Sequence, residues 1–240
     1  MLTERQKAIL KAVIENYIKS AKPVSSWDLT EKRDLRVSSA TIRNEFAALE
    51  ETGHLFQPHT SAGRLPTEKA YRFYVEGCLK ERELARSERE KVAQELFSES
   101  EKRDAILKKT AKILSHHSHG LALVGFFDSE EIYRSGLSRL FSEPEFIGTN
   151  LVFEAAEALD ELDSYFDKLL DAFAESAPEI YIGSENPLGL EEFSFIGRHY
   201  RLADCDGFLA LMGPTRMNYR KNISLIEYLG EILDNIEKHA

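Results

Sequence analysis

Apolar positions at helical spacing dominate the first eighty residues. Leu10, Val13, Ile14, Tyr17 and Ile18 form one stripe, preceded by Thr3 and Gln6 at the spacing of a capping box. Pro23 ends that helix, and Ser25 or Ser26 caps a short second one that holds Trp27 and Leu29 and runs roughly to Lys32. A turn over 33–37 leads to Ser38, a good N-cap for a third helix. In the run SSATIRNEFAALEETG, Ile42, Phe46 and Leu49 fall within about 60° of one another at ~100° per residue, so they anchor this helix to a core. Ala40, Thr41, Asn44, Ala47 and Ala48 occupy the opposite face, with Arg43 on its flank, and Gly53 supplies the left-handed stop. HLFQPHTSAGRLPT then predicts two short strands around a turn-rich tip, because Pro58 and Pro66 exclude helix and Gly63 permits a tight turn. Thr67 caps a fourth helix with Tyr71, Tyr74, Val75 and Leu79 on one side.

The pattern changes after Leu79. Residues 80–118 are polar and rich in Glu, Lys and Arg; Ser87 with Glu90 and Ser98 with Glu101 predict two helices broken near 98–100. Leu107, Ala111 and Leu114 give the second a narrow apolar seam, either a plain solvated helix or one that pairs two subunits. Gly120 to Phe127 predicts a buried strand, with shorter strands over 131–137 and 179–183. A helix over 155–174 carries Leu159, Leu162, Phe166, Leu169 and Phe173. Residues 193–202 alternate polar and apolar, 208–212 form another strand, and Asp206-Gly207 signals a hairpin turn between them. The last helix buries Ile223, Ile226, Leu229, Ile232, Leu233 and Ile236. The order predicts an α+β chain in three parts. A winged helix-turn-helix spans 1–79, a helical bridge 80–118, and an antiparallel sheet with helices 119–240.

Composition narrows the function classes. With 240 residues, 42% hydrophobic and 30% charged, the chain is an ordinary globular one with one or two cores. No apolar run approaches the ~18 residues of a spanning helix, and the N-terminus is charged from Glu4, so a cytoplasmic location is expected. Cys78 and Cys205 are too few for a disulfide scaffold or a zinc site, and Cys78, among aromatics, reads as an inert core thiol. His116, His117 and His119 point to different faces and have no ligand cluster to join, so neither metal nor cofactor is expected. Phosphate-loop, dinucleotide and nucleophile-elbow motifs are missing, and the carboxylate pairs lack a partner constellation. No enzyme is expected.

Charge points elsewhere. The net charge of -10 argues against a chain that coats nucleic acid along its length, yet residues 1–79 carry 12 Lys and Arg against 10 Asp and Glu, whereas the rest carries 19 against 31. The mildly basic part is also the one with a polar-faced third helix and a wing. There Arg43, Asn44 and Thr41 suit base edges in the major groove, since Asn pairs bidentately with adenine and Arg with guanine. Ser38 and Ser39 can hold a phosphate at the helix N-terminus, and His59, Ser61 and Arg64 suit the backbone or minor groove. One small module seldom reaches useful specificity, so a homodimer on double-stranded DNA with an inverted repeat is expected.

These residues also carry a resemblance. PVSSWDLTEKRDLRVSSATIRNEFAALEETGHLFQPHTSAGRLPTEKAYRFYV resembles the N-terminal domain of the HrcA family of heat-inducible transcription repressors. YIGSENPL and MGPTRMNYRKNISLIEYL are similar to that family's C-terminal signatures, and SGLSRLFSEPEF to its central one, so the likeness runs from about residue 2 to 235. It implies a negative regulator of chaperone operons that binds an inverted-repeat operator, is released on heat stress and is supported by the GroE chaperonin. It also implies a GAF-like fold for 119–240. Family members are usually longer, with a dimerising domain inserted in the second domain. Here LALVGFF reaches YRSGLSRLF through only Asp128 to Ile132, so that insertion is expected to be absent. In GPTRMN, Pro214 and Thr215 are expected to shape a strand-to-helix turn, with Arg216 a candidate partner contact. The competing expectation is a winged-helix regulator whose second domain senses a small molecule.

Overall fold

In the computed structural model, which describes residues 2–30, 35, 37–78, 84–96, 103–128, 132–160 and 166–236, the chain divides into two units, 1–80 and 81–240.

The first unit begins with the reciprocal cap expected of Thr3 and Gln6: Gln6 N donates to Thr3 Oγ1 (3.2 Å) and Thr3 N to Gln6 Oε1 (2.9 Å). Helix α1 (Glu4–Ser20) ends at Ala21, whose φ of 51° is left-handed, two residues before Pro23. Ser25 caps α2 (Ser26–Thr30), since Asp28 N donates to its hydroxyl while the Asp28 carboxylate accepts from Ser25 N and Oγ at 2.7 Å. Helix α3 (Ser39–Glu51) follows, then β1 (Leu55–Phe56) and β2 (Leu65–Pro66), which pair antiparallel with Leu55 opposite Pro66. Thr67 opens α4 (Glu68–Cys78): its hydroxyl accepts from Ala70 N (3.3 Å) and donates to Gly53 O (2.8 Å), tying the end of the wing to the turn after α3. Ile9, Leu10, Val13, Ile14, Leu29, Ile42, Leu49 and Val75 are fully enclosed as the core. Leu79 and the side chain of Cys78 lie outside the described residues.

The second unit holds α5 (Arg86–Leu96), α6 (Arg103–Ser118), β3 (Leu121–Phe126), β4 (Ile132–Ser135), α7 (Leu137–Leu140), α8 (Leu151–Asp160), α9 (Phe166–Ala172), β5 (Glu179–Ile182), β6 (Phe193–Leu202), β7 (Cys205–Pro214) and α10 (Tyr219–Asn235). The five strands pair antiparallel in the order β4-β3-β7-β6-β5. Helices α6 and α10 pack on one face of the sheet. The other face meets Phe146, Ala155, Leu159, Leu169 and Phe173 in one apolar cluster.

Four expectations change. The bridge is not separate: α5 and α6 belong to the second unit, and α6 buries Leu107, Ala111 and Leu114 while packing on β3 and β4. The predicted helix over 155–174 starts earlier and becomes α8 and α9; Leu159, Leu169 and Phe173 are buried as expected, while Leu162 and the Phe166 side chain lie outside the described residues. Strand β6 is covered on both faces over 193–198 and alternates only from His199 onward, so the polar residues of its first part need partners. Ser194 Oγ hydrogen-bonds Tyr219 Oη (2.8 Å), and Arg198 Nη2 donates to Asp234 Oδ2 (2.7 Å). The hairpin turn sits at Ala203-Asp204, because Leu202 already faces Cys205; Asp206 and Gly207 lie within β7. Gly207 is required for another reason, since a Cβ there would run into Gly125 O and the Tyr200 ring. His117 Nε2 lies 3.4 Å from Glu95 Oε2, and among the described residues no three His, Cys, Asp or Glu side chains gather as metal ligands.

Candidate nucleic-acid interface

Helix α3 is built to show one side. Ser38 Oγ accepts from Thr41 N (3.1 Å) and lies 2.9 Å from Thr41 Oγ1, so the cap fixes where the helix starts and both hydroxyls share a hydrogen bond. Ile42, Phe46 and Leu49 are buried, while Ala40, Arg43, Asn44 and Ala47 are exposed, with Ser39, Thr41 and Ala48 half-buried at the border. Small alanines beside a guanidinium and a carboxamide let the helix approach a groove floor closely. Among the described residues neither Arg43 nor Asn44 has a side-chain partner within the protein.

Glu45 joins the buried stripe, and sequence reasoning passed over it. Its carboxylate accepts from Arg5 Nε at 2.6 Å, joining α3 to α1. Its position between Ile42 and Leu49 in the stripe was the available signal. Gln57 was missed too. Its Nε2 donates to Thr60 O (3.0 Å) and Ala62 O (2.9 Å), closing the wing tip and leaving His59 and Ser61 exposed there.

Arg64 stands differently from expectation. Its backbone pairs with Val24 in both directions (2.9 and 2.8 Å), and Gly63 is needed because a Cβ would strike the Val24 carbonyl, rather than for turn conformation. The guanidinium sits 3.0 Å from Glu50 Oε1, a charge contact without hydrogen-bond alignment at Nε, and 5.9 Å over the Phe46 ring. Arg64 therefore clamps the wing to α3 instead of projecting toward a phosphate.

His54, buried below the wing, contributes a pH response. Burial first, and then the charge of Lys69, hold its pKa below the usual histidine value, against an opposing hydrogen bond to Thr52. The folded unit thus disfavours the imidazolium. Stability is complete above the unfolded value near 6.5 and declines as pH falls through the folded value, since the unfolded chain takes up the proton first. The melting temperature should drop between pH 7.5 and 5.5 more in the natural chain than in His54→Gln. An equal drop in both would remove His54 from the account.

Residues 1–76 match the family model described as winged helix-turn-helix transcription repressor, HrcA DNA-binding, and residues 69–223 match that of the HrcA protein C terminal domain. The heat-inducible transcription repressor HrcA of Geobacter sulfurreducens is 27% identical, with 98% of each chain covered. That alignment runs over 338 positions where this chain has 240 residues, so the Geobacter protein carries sequence with no counterpart here. The protein of the same name from Brevibacillus brevis is 44% identical over 124 residues, which are 52% of this chain and 36% of its own. A crystal structure of a hypothetical protein shares the fold at a TM-score of 0.81 and 21% identity, with 98% of both chains covered.

Proposed function

This chain belongs to the HrcA family of heat-inducible transcription repressors, and from that premise we propose that it lays α3 into the major groove of an inverted-repeat operator of chaperone genes. It is a DNA-binding repressor with a winged-helix domain. The observation that carries the proposal is the face of α3 on which Arg43 and Asn44 are exposed and, among the described residues, unengaged while Ile42, Phe46 and Leu49 hold the helix from behind. In this arrangement Arg43 and Asn44 read bases and Thr41 lines the groove at the helix start. Ser39, His59 and Ser61 meet phosphates, and the Ser38 hydroxyl stays with the helix as its cap.

A single helix of this size reads few base pairs, which favours two copies on a two-fold repeat. Release on heating and support by the GroE chaperonin come from the family resemblance, and together with residence in the cytoplasm they complete the proposal. Footprinting on DNA upstream of chaperone genes, at fixed salt, tests it. Two chains should protect one inverted repeat symmetrically, with protection lost on heating and far weaker on unrelated DNA. Equal protection of unrelated DNA would overturn it.

A further inference from the structure

The central motif SGLSRLF belongs to the second unit, outside the winged-helix domain, and its geometry has a use of its own. Gly136 follows β4 with a φ of 106°, and a Cβ on it would run into Ser115 Oγ and Gly120 O, so the turn before α7 presses against the last turn of α6. That approach places Arg139 on α6. Its Nη1 donates to Ser115 Oγ (3.3 Å) and its Nη2 to His116 Nδ1 (3.4 Å). A guanidinium only donates, so His116 accepts at Nδ1 and keeps its proton on Nε2. Lys112 lies one turn earlier on the same face of α6. Lys112, His116 and Arg139, with Ser135, Ile113 and Glu95, line an open cavity of about 400 Å³. Among the described residues no carboxylate pairs with Lys112 or Arg139, although residues 80–240 carry 31 Asp and Glu. The one carboxylate on the rim, Glu95, leans toward His117 at 3.4 Å.

We propose that this cavity binds a small phosphorylated metabolite bearing hydroxyl groups, such as a sugar phosphate. Arg139 is held in place by two hydrogen bonds and still has N–H donors for a forked contact with phosphate oxygens. Lys112 adds a second positive charge, and His116 Nε2 and the Ser135 hydroxyl are neutral donors. Glu95 repels a bare anion and accepts from a hydroxyl, so the rim selects a phosphate ester over free phosphate. The volume falls within the range of small-molecule sites, ~300–1,000 Å³. The site belongs to the second unit alone and stands whether or not the operator assignment holds.

Titration with glucose 6-phosphate, glucose and inorganic phosphate, followed by calorimetry and by the imidazole nitrogen signals of His116, tests the assignment. The local signal is needed because the DNA-binding unit also attracts phosphate. Glucose 6-phosphate should shift His116 saturably, glucose should not, and inorganic phosphate should bind at least tenfold more weakly. Arg139→Gln and Lys112→Gln should each weaken glucose 6-phosphate about tenfold, or about 1.4 kcal/mol. Lys112 is exposed, so its replacement leaves the core intact even if loss of Arg139 loosens the turn. An unmoved His116 signal, or full affinity in Lys112→Gln, overturns the site. Equal affinity for inorganic phosphate overturns the proposed ligand class.

Discussion

Replacing Arg216 with alanine should destabilise the sheet-bearing unit by about 2–3 kcal/mol, measured by urea unfolding. Arg216 follows β7 in the GPTRMN segment, and its guanidinium donates to Glu143 and Glu145 of the SEPEF segment, one of these bonds at 3.1 Å. Its side chain is 10% exposed and those of its partners 22% and 24%, so truncation would strand two neighbouring carboxylates in a half-buried site. Loss of one partner in a fully buried pair costs ~3–5 kcal/mol, and the residual exposure brings the expectation below that. Burial alone would lower the Arg216 pKa, but Glu145 and then Glu143 outweigh it and raise it. A raised cation stabilises below its unfolded value and loses that effect only above it, so the pair stays charged on the arginine side at every ordinary pH. Adding Glu143→Gln and Glu145→Gln to the variant should recover most of the loss, because no unpaired charge then remains. A variant as stable as the natural chain would reduce the cluster to surface decoration.

Asn44→Ala should weaken binding to the operator by ~1–3 kcal/mol and leave random-sequence DNA almost unaffected; Arg43→Ala should do the same at a different base pair. Both side chains are exposed and, among the described residues, unengaged, so neither change removes an internal contact. Alanine also has the better helix propensity, which keeps α3 intact and confines the effect to DNA. Paired titrations on operator and scrambled duplexes at one salt concentration separate base reading from phosphate contact. Parallel losses on the two duplexes would reassign both residues to the backbone.

Local signals proved sufficient where a short stretch decides the outcome. The Thr3 cap and the Gly53 stop arise from interactions between residues a few positions apart, and the wing and the buried stripe of α3 are each written as a pattern within one short run of sequence. Side chains that answer to distant partners were opaque. Arg64 reads as a free basic residue until Glu50 and Phe46 are seen beneath it, and nothing in the spacing of GPTRMN points to carboxylates some seventy positions away. Asp206-Gly207 is a strong turn signal, yet the close approach of β3 claims the glycine, and the chain reverses at Ala203-Asp204 instead. Alternation in 193–202 suggested one wet face because periodicity cannot reveal a helix packed on the far side.

The double backbone pairing of Val24 with Arg64 makes the wing and the start of α2 one stiff piece. A rigid reader cannot adjust its reach to each duplex, so the duplex must do the yielding. Sequences whose grooves are already the right width and curvature should then be favoured even at steps that no side chain touches.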